Sequence, residues 1–289
     1  MRAGAIEIDA LSAIAGRFDH ALFDQWGTLH EGNAVFPAAR DCVAKLKAAG
    51  KHVLVLSNSG KRAHGNEARL EKLGLPPADY DGILTSGEVT WSGLRANARE
   101  PFADLGRSCF LITRGGDHSI IDGLDLTVVD NVQDADFILL GGLDDRVAEP
   151  RHWRDCLTSA AAQGLPMLCA NPDLTMFSAK GLIPAPGALA RFYEALGGDV
   201  RYVGKPHAPV FEAALERLGN PDPKRVLMVG DSLDHDIAGA KAAGMLTLFL
   251  TSGVHREALG SAPDLSTAVR MLARSESRTP NWMMSRLAW

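Results

Sequence analysis

Two segments of the chain combine a polar side chain with a turn that could surround an anion. In FDQWGTL, residues 23–29, the Asp24 carboxylate precedes a Gly-Thr turn whose main-chain N–H groups could face negative charge. In LSNSG, residues 56–60, the Ser57 hydroxyl and the Asn58 amide can donate hydrogen bonds to phosphate oxygens. Each segment alone is a weak indication, because such residues also commonly satisfy loop amides.

Two further segments add a positive charge and metal ligands. GKP, residues 204–206, supplies the Lys205 ammonium next to a predicted helix start. VGDSLDHDI, residues 229–237, contains closely spaced carboxylates, among them Asp231 and Asp236, and carboxylates are the hard oxygen ligands that Mg²⁺ accepts. The four segments together predict a site for a phosphate group and a magnesium ion.

These segments need a scaffold, and the chain alternates short apolar runs with amphipathic stretches. This alternation is typical of parallel strands joined by helical crossovers. We predict strands at residues 20–23, 53–56, 109–112, 137–140, 226–229 and 246–250. We predict helices at residues 37–49, 62–73, 151–162, 188–196, 207–218 and 234–243. The predicted fold class is α/β, with a doubly wound, Rossmann-like core of parallel strands.

The polar segments follow predicted strands, so the fold would bring them together. Asp24, Ser57 and Asp231 each come at or just after a strand, and ligands of open parallel sheets bind at the carboxyl ends of the strands. Residues 87–182 separate these segments and have strand and helix patterns of their own. We therefore predict an inserted α/β cap domain at 87–182, within a core formed by residues 1–86 and 183–289. We expect the tail after residue 274 to be an arm lying on the body.

Composition excludes several classes of partner. The formal net charge of -5 argues against general affinity for nucleic acid or an anionic membrane. No apolar run approaches the ~20 residues needed to span a bilayer, and charged residues interrupt the amino terminus where a signal peptide would need an apolar core. Cys42, Cys109, Cys156 and Cys169 form no C-x-x-C pair and are predicted to be small buried hydrophobes in a reducing compartment. We predict a cytoplasmic protein; its oligomeric state is open, with a homo-oligomer as one option.

In their order along the chain, the four segments resemble the four motifs of the haloacid-dehalogenase superfamily of phosphotransferases. The insert extends the resemblance. Its segments TSGEVTWSGL, ADFILLGG and CANPDLTMFSAKGLIPAPGAL, followed by GKPHAPVFEAAL, look like subclass IIA, which contains nucleotide, sugar and pyridoxal phosphate phosphatases. This subclass carries a large α/β cap between the second and third motifs. The resemblance covers roughly residues 20–253, which is most of the chain.

The resemblance implies a metal-assisted nucleophile. Asp24 would attack phosphorus and form an aspartyl-phosphate, which divides one difficult displacement into two steps. Asp231 and Asp236 would bind Mg²⁺ together with Asp24, and the backbone carbonyl of Trp26 would complete the protein ligands.

The resemblance also implies residues that bind the phosphate and the substrate. Ser57 and Lys205 would hold the transferring phosphoryl group, with Lys205 offsetting the repulsion between carboxylate and phosphate. Asn58, and Asp173 in the NPD loop, are further candidates for contact with phosphate or substrate.

One position departs from the pattern of the family. Its phosphatases have a second Asp two residues after the nucleophile, which protonates the leaving alkoxide and later activates water. This chain has Trp26, whose indole can do neither. General acid–base catalysis is worth ~10²–10⁴-fold, so an alkyl phosphate should be a poor substrate unless another group substitutes. The candidates for that group are His30, His64, His207 and Asp173.

The sequence therefore predicts a magnesium-dependent phosphatase of a small phosphorylated metabolite, with an aryl or acyl phosphate favoured over a sugar alcohol ester. One alternative is a protein that binds a phosphorylated ligand, or is regulated by it, and has lost turnover with the acid. The other is a dehalogenase, because in the dehalogenases of this superfamily an aromatic Tyr follows the nucleophile. Dehalogenases, however, lack the metal-binding pattern to which Asp231 and Asp236 belong.

Several conspicuous residues also have simple structural interpretations. Trp26 would either fill the space of the missing acid and pack against the cap, or stack on the substrate. The remaining residues of this kind are polar groups at a helix start, Asp234 and His235, and packing residues, Trp91, Trp153 and Met176.

Overall fold

Strands and helices alternate along most of the chain, as the α/β prediction requires. The computed structural model describes residues 5–178, 181–260 and 264–289. It divides into two units, each described separately below. The first unit comprises Met1–Ser57, Glu67–Leu84 and Phe211–Trp289, and the second comprises Asn58–Asn66 and Thr85–Val210.

The strands of the described residues are numbered in chain order. They are β1 Ile6–Glu7, β2 His20–Phe23, β3 His52–Ser57, β4 Ile83–Thr85, β5 Ser108–Ile112, β6 Thr127–Val128, β7 Phe137–Leu140, β8 Pro166–Cys169, β9 Thr175–Ser178, β10 Gly181–Pro184, β11 Asp199–Tyr202, β12 Val226–Gly230, β13 Leu246–Leu250 and β14 Trp282–Met284. All six predicted strands are confirmed, with ends that differ by at most one residue from the prediction.

The helices of the described residues are numbered in the same way. They are α1 Pro37–Ala48, α2 Ala63–Leu73, α3 Ser86–Ala96, α4 Arg154–Ala162, α5 Pro186–Ala195, α6 Ala208–Arg217, α7 Ala238–Ala242, α8 Arg256–Leu259 and α9 Leu265–Ala273. Two of the predicted helices begin with a turn that is not α-helical. The helix predicted at 151–162 starts as a 3₁₀ turn, Pro150–Trp153, and the helix predicted at 234–243 starts as a π-helix, Leu233–Ile237. In the second case a buried carboxylate, Asp236, lies inside the π-turn.

The sheet of the first unit has the order β1-β14-β13-β12-β2-β3-β4. Along this order, every neighbouring pair from β1–β14 through β2–β3 is parallel. Its central strands are continuous apolar runs, because helices cover both faces of a doubly wound sheet. Every residue of β12 is buried, and so are Ala21, Leu22 and Phe23 of β2. On the register of these two strands, Phe23 lies opposite Val229, so Asp24 and Asp231 emerge at the same edge.

The tail after residue 274 is not an arm lying on the body, and that prediction was wrong. Residues 282–284 form β14, which pairs in parallel with β13 on one side and with β1 on the other. Trp282, Met283 and Met284 are all buried there. The polar start of the tail hid this strand in the sequence, because a run of three residues is too short to show a periodicity.

The second unit has its own parallel sheet, in the order β11-β8-β7-β5-β6, and a separate antiparallel hairpin of β9 and β10. Its core packs α4 and α5 against these strands, around Leu157, Leu189 and the fully buried Tyr193. The Tyr193 hydroxyl donates a hydrogen bond to the Leu165 carbonyl at 2.7 Å, which satisfies its one polar group in that core.

The boundaries that we predicted for the cap domain, 87–182, stay a prediction. The second unit contains that range and extends to residue 210, because β11 pairs with β8 and α5 packs on the same sheet. None of the described helices is long and apolar enough to cross a membrane. Cys42, Cys109 and Cys169 are buried and Cys156 is partly buried, and all four are free thiols.

Candidate active site

Three carboxylates meet at the carboxyl edge of the sheet in the first unit. Asp24 directly follows β2, Asp231 directly follows β12, and Asp236 lies in the π-turn beyond β12. One carboxylate oxygen from each lies within 4.8 Å of the others. Asp231 and Asp236 are only 2% and 1% exposed. The main-chain N–H of Asp24 donates to the Val229 carbonyl at 2.9 Å, which extends the β2–β12 ladder to the site itself.

Main-chain N–H groups orient two of these carboxylates. Asp231 Oδ2 accepts a hydrogen bond from the Val254 N–H at 2.9 Å, and Asp236 Oδ2 accepts one from the Ser232 N–H at 3.1 Å. The π-turn contributes to this geometry, because the Ile237 N–H reaches the Ser232 carbonyl across five residues. The turn therefore points Asp236 back towards the end of β12.

Three glycines, Gly27, Gly230 and Gly253, leave the space that the carboxylates occupy. A Cβ atom on Gly27 would lie 2.1 Å from Asp231 Oδ2, and the φ of Gly27 is +77°, a conformation that other residues adopt only at a cost. A Cβ atom on Gly230 would lie 2.2 Å from Asp236 Oδ2. All three residues must be glycine for the carboxylates to approach one another this closely.

The donor set fits a divalent cation with a preference for oxygen ligands. Three carboxylates, two of them buried, repel one another in the absence of a counter-charge. A divalent ion among their oxygens would remove that repulsion, and carboxylates in a partly enclosed cluster are ligands typical of Mg²⁺ and Ca²⁺. Asp24, Asp231 and Asp236 are thus brought together as the sequence predicted, and they could hold such an ion.

A second group of predicted site residues comes together within the second unit. The Asn58 side-chain amide donates to Asp173 Oδ1 at 2.8 Å and to the Lys205 carbonyl at 3.0 Å, while its Oδ1 accepts from the Lys205 N–H at 2.7 Å. Asn58 and Lys205 are 5% and 2% exposed. This pairing fixes the main chain of Lys205 and ties the NPD loop to the segment that follows β3. Ser57, the last residue of β3, is buried directly before Asn58.

Trp26 packs against its own loop. A Cβ atom on Gly32, whose φ is +95°, would lie 2.7 Å from Cη2 and 3.0 Å from Cζ3 of Trp26, so this part of the ring packs on that glycine. The His30 ring meets Trp26 in a T-shaped contact with 5.5 Å between centroids, and the Arg69 guanidinium lies 5.9 Å from the indole centroid. The ring is half-buried.

His30 does not supply the missing acid at neutral pH. It is 1% exposed, and burial together with the nearby Arg69 guanidinium lowers its pKa from 6.5 to about 4. Its Nδ1 accepts a hydrogen bond from the Gly32 N–H at 3.0 Å, which places the single proton of the neutral ring on Nε2. A neutral imidazole is a very weak acid, so burial makes His30 a poor replacement for the missing acid.

The other three candidates for the acid belong to the second unit. Asp173 accepts the hydrogen bond from Asn58, and His64 is exposed near the start of α2. His207 stacks on the Tyr202 ring, with centroids 4.5 Å apart and an angle of 7° between planes. The replacement for the acid therefore stays open among these residues.

Residues with a predicted structural interpretation behave accordingly. Asp234 forms an ion pair with Arg278, and the His235 main-chain N–H donates to Ser232 Oγ at 3.1 Å at the start of the π-turn. In the second unit, the indole N–H groups of Trp91 and Trp153 donate to main-chain carbonyls at 2.8 Å.

The sequence did not single out three features of the site. Gly230 and the Val254 N–H hold the carboxylates in place, and Arg69 lies beside Trp26. The Gly-Asp pair after an apolar strand could have indicated the first. The Val254 N–H and Arg69 belong to no sequence motif, so the sequence could not indicate them.

Two family models and several solved structures match this chain. Residues 21–127 match the family model described as haloacid dehalogenase-like hydrolase, and residues 202–271 match a model described as HAD-hydrolase-like. A crystal structure of a haloacid dehalogenase-like hydrolase from Brucella suis 1330 is 31% identical, with a TM-score of 0.81, over 97% of this chain and 100% of the other. The chain belongs to the haloacid-dehalogenase-like hydrolase family. It is accordingly a hydrolase, and the two matched ranges contain all three carboxylates of the cluster.

Two curated relatives of this family give a view of its activities. The acid sugar phosphatase of Staphylococcus aureus is 27% identical over 81% of this chain and 86% of its own length. Chronophin of Mus musculus is 27% identical over 85% of each chain. The similarity to both extends over almost the whole length of the relatives.

Proposed function

We propose that this hydrolase is a magnesium-dependent phosphatase of a small phosphorylated metabolite. The observation that carries the proposal is the cluster of Asp24, Asp231 and Asp236, built around the first residue after β2. Its oxygen donors suit Mg²⁺, and the named relative from Staphylococcus aureus acts on sugar phosphates. The four free cysteines agree with a reducing, cytoplasmic location, which stays a prediction.

In the proposed reaction, a carboxylate oxygen of Asp24 attacks phosphorus. The bond from phosphorus to the leaving-group oxygen breaks, its electron pair departs with the leaving group, and an aspartyl-phosphate forms. Water then attacks the same phosphorus and loses a proton, and the bond to Asp24 breaks. Inorganic phosphate is released and the carboxylate is restored.

Other residues of the chain would bind the reacting group. Asp231 and Asp236 would hold Mg²⁺, with the Trp26 carbonyl as a further ligand, and the bound ion would neutralise charge on the phosphoryl oxygens. Ser57 and Lys205 would bind the phosphoryl oxygens. Asn58 would support them by fixing the Lys205 main chain, because it hydrogen-bonds to both the N–H and the carbonyl of that residue.

Trp26 directs the proposal towards substrates with a good leaving group. Without an acid at this position, and with the neighbouring His30 neutral, the first residues after Asp24 offer no proton to an alkoxide. Aryl and acyl phosphates do not need that proton, since their leaving groups are weak bases.

The test is hydrolysis of 4-nitrophenyl phosphate and acetyl phosphate by the wild type and by Asp24→Asn, each with Mg²⁺ or with a chelator. We expect turnover by the wild type with Mg²⁺ only, and none by the variant. Turnover that persists in Asp24→Asn would contradict the assigned nucleophile. A screen of phosphorylated metabolites, with sugar phosphates included because of the relative from Staphylococcus aureus, would then rank natural substrates.

A second candidate is a phosphate-binding or regulatory protein without turnover, and Trp26 is the observation that favours it. It requires equal affinity for inorganic phosphate in the wild type and in Asp24→Asn, with hydrolysis by neither. Dehalogenation, the third candidate, requires halide release from a haloacid without metal, and we expect none because the carboxylate cluster would then serve no purpose.

A further inference from the structure

An exposed positive charge, that of Arg69, lies beside Trp26. Arg69, on α2, is exposed, and its guanidinium lies 5.9 Å from the Trp26 ring centroid. A Cβ atom on Gly32 would lie 3.9 Å from Arg69 Nη2 and 2.7 Å from the Trp26 ring, so both side chains reach the same glycine. Trp26, Arg69, His30 and Gly32 all belong to the first unit, as Asp24 does.

No described carboxylate neutralises this guanidinium. Among residues 5–178, 181–260 and 264–289, Arg69 has no carboxylate within 4.0 Å. Other arginines of the protein are paired: Arg62 binds Glu88 through two nitrogens, and Arg225 binds Asp19 in the same way.

In the family pattern, the residue at the position of Trp26 is the one that acts on the leaving group. Trp26 is two residues from Asp24, within about 7 Å along the main chain. An attacking carboxylate lies in line with the departing oxygen, so the leaving group extends from phosphorus on the side away from Asp24, past the loops at this edge. An indole face binds planar rings, and a guanidinium binds carboxylates through two parallel hydrogen bonds.

We propose that Trp26 and Arg69 select phosphate esters whose leaving group is a planar ring carrying a carboxylate. This inference rests on the proposed phosphatase function and names the class of substrate for it. A phenolic leaving group departs without an acid. Trp26, which stands where the family has its acid, would therefore favour the esters that do not need one. Trp26 and Arg69 are thus specificity-determining residues in this proposal.

The experiment uses a matched pair of esters, 4-nitrophenyl phosphate and 3-carboxy-4-nitrophenyl phosphate, with Mg²⁺. We expect the wild type to prefer the carboxylated ester by about fivefold in kcat/KM, mainly through KM, which is the upper range for an exposed ion pair. Arg69→Gln should bring the ratio close to one, and Arg69→Lys should retain part of it. High salt should also lower the ratio, because the contact is exposed.

The controls separate this specificity from other effects. Lys72→Gln removes an exposed positive charge from the same helix and should keep the wild-type ratio. Trp26→Leu should lower kcat/KM for both aryl esters relative to acetyl phosphate, because only the aryl esters can stack. Circular dichroism spectra of each variant check that it is folded.

The outcomes distinguish the two levels of the proposal. Hydrolysis of both esters at equal kcat/KM by the wild type, or an unchanged preference in Arg69→Gln, overturns the inference about the leaving group alone. Hydrolysis of neither ester, with acetyl phosphate also untouched, overturns the phosphatase function and the inference with it.

Discussion

The side chain of Asn58 pairs with the main chain of Lys205 in both directions. Its Oδ1 accepts from the Lys205 N–H at 2.7 Å, and its Nδ2 donates to the Lys205 carbonyl at 3.0 Å. The two residues are 147 positions apart and both are buried. The side-chain amide makes the two hydrogen bonds that a neighbouring strand would make, and it also donates to Asp173, so it links the Lys205 main chain to the NPD loop.

We expect Asn58→Ala to lower the free energy of unfolding by roughly 3 kcal/mol, because it removes two hydrogen bonds to buried main-chain groups of Lys205. Urea unfolding measures this. Asn131→Ala, which removes one exposed helix-capping bond in the same unit, should cost at most about 1 kcal/mol. Equal losses in the two variants would show that the pairing with Lys205 contributes little.

Gly27→Ala should impair metal binding as well as stability. Its Cβ would meet Asp231 Oδ2, and its φ of +77° adds a backbone cost of about 1 kcal/mol. Gly50→Ala is the matched control, since Gly50 has a φ of +72° and open space around it. Calorimetric titration with Mg²⁺ should show weaker binding for Gly27→Ala only. If both variants bind Mg²⁺ like the wild type, the close approach at Gly27 is unimportant.

Asp236→Asn should have opposite effects on the two forms of the protein. Removing one of three neighbouring carboxylates relieves like-charge repulsion. The free energy of unfolding of the metal-free protein should therefore increase by about 1 kcal/mol, and its Tm should rise. The further rise in Tm on adding Mg²⁺ should largely disappear. Asp234→Asn, two residues away and outside the cluster, should keep the wild-type response to Mg²⁺. A wild-type response in Asp236→Asn would argue against Asp236 as a ligand.

Comparing Trp26→Asp with Trp26→Asn would test what the missing acid costs. Both variants lose the packing on Gly32 and His30, and they differ only in the ability to transfer a proton. We expect kcat/KM for an alkyl phosphate to be higher in the Asp variant by about tenfold or more. This is less than the ~10²-fold that an ideally placed acid contributes at the low end, because the introduced side chain is not placed for the reaction. Identical rates would mean that another group limits hydrolysis.

His30 should make the protein less stable in mild acid. Its pKa is lowered to about 4 in the folded state by burial, whereas the unfolded chain takes up the proton near 6.5. Above pH 6.5 the His30 ring is neutral in both states, and its protonation does not affect stability. As the pH falls from 6.5 towards 4, only the unfolded chain takes up the proton, so the free energy of unfolding decreases. His30→Gln should lose less stability than the wild type between about pH 7.5 and about pH 5, by roughly 2 kcal/mol. The exposed His64→Gln should follow the wild type in urea unfolding at both pH values.

The sequence was sufficient for the sheet and for the carboxylate cluster, because both depend on local patterns. Apolar runs such as Val226 to Val229 are long enough to identify a buried strand, and Asp24 and Asp231 directly follow such runs. Parallel pairing then brings them to one edge. The family resemblance added two expectations, that Asp24 is the nucleophile and that Asp236 joins the other carboxylates; the second agrees with the observed cluster.

Features that depend on three-dimensional packing could not be predicted. The helix predicted at 234–243 starts as a π-turn because Asp236 must point back to β12, and periodicity does not reveal such a constraint. The neutral state of His30 depends on its burial and on Arg69, which is distant from it in the sequence. Similarly, β14 is a short strand whose partners are distant in sequence.

The position of β14 also matters for how the protein is made. In the sheet of the first unit, β1 pairs with β14, so β1 cannot take its place in the sheet until the residues near 282 have been translated. Until then β13 presents an unpaired edge on that side, and exposed strand edges promote association between chains. During synthesis, the edge of β13 is therefore open to other chains at a stage when the residues of the carboxylate cluster have already been translated.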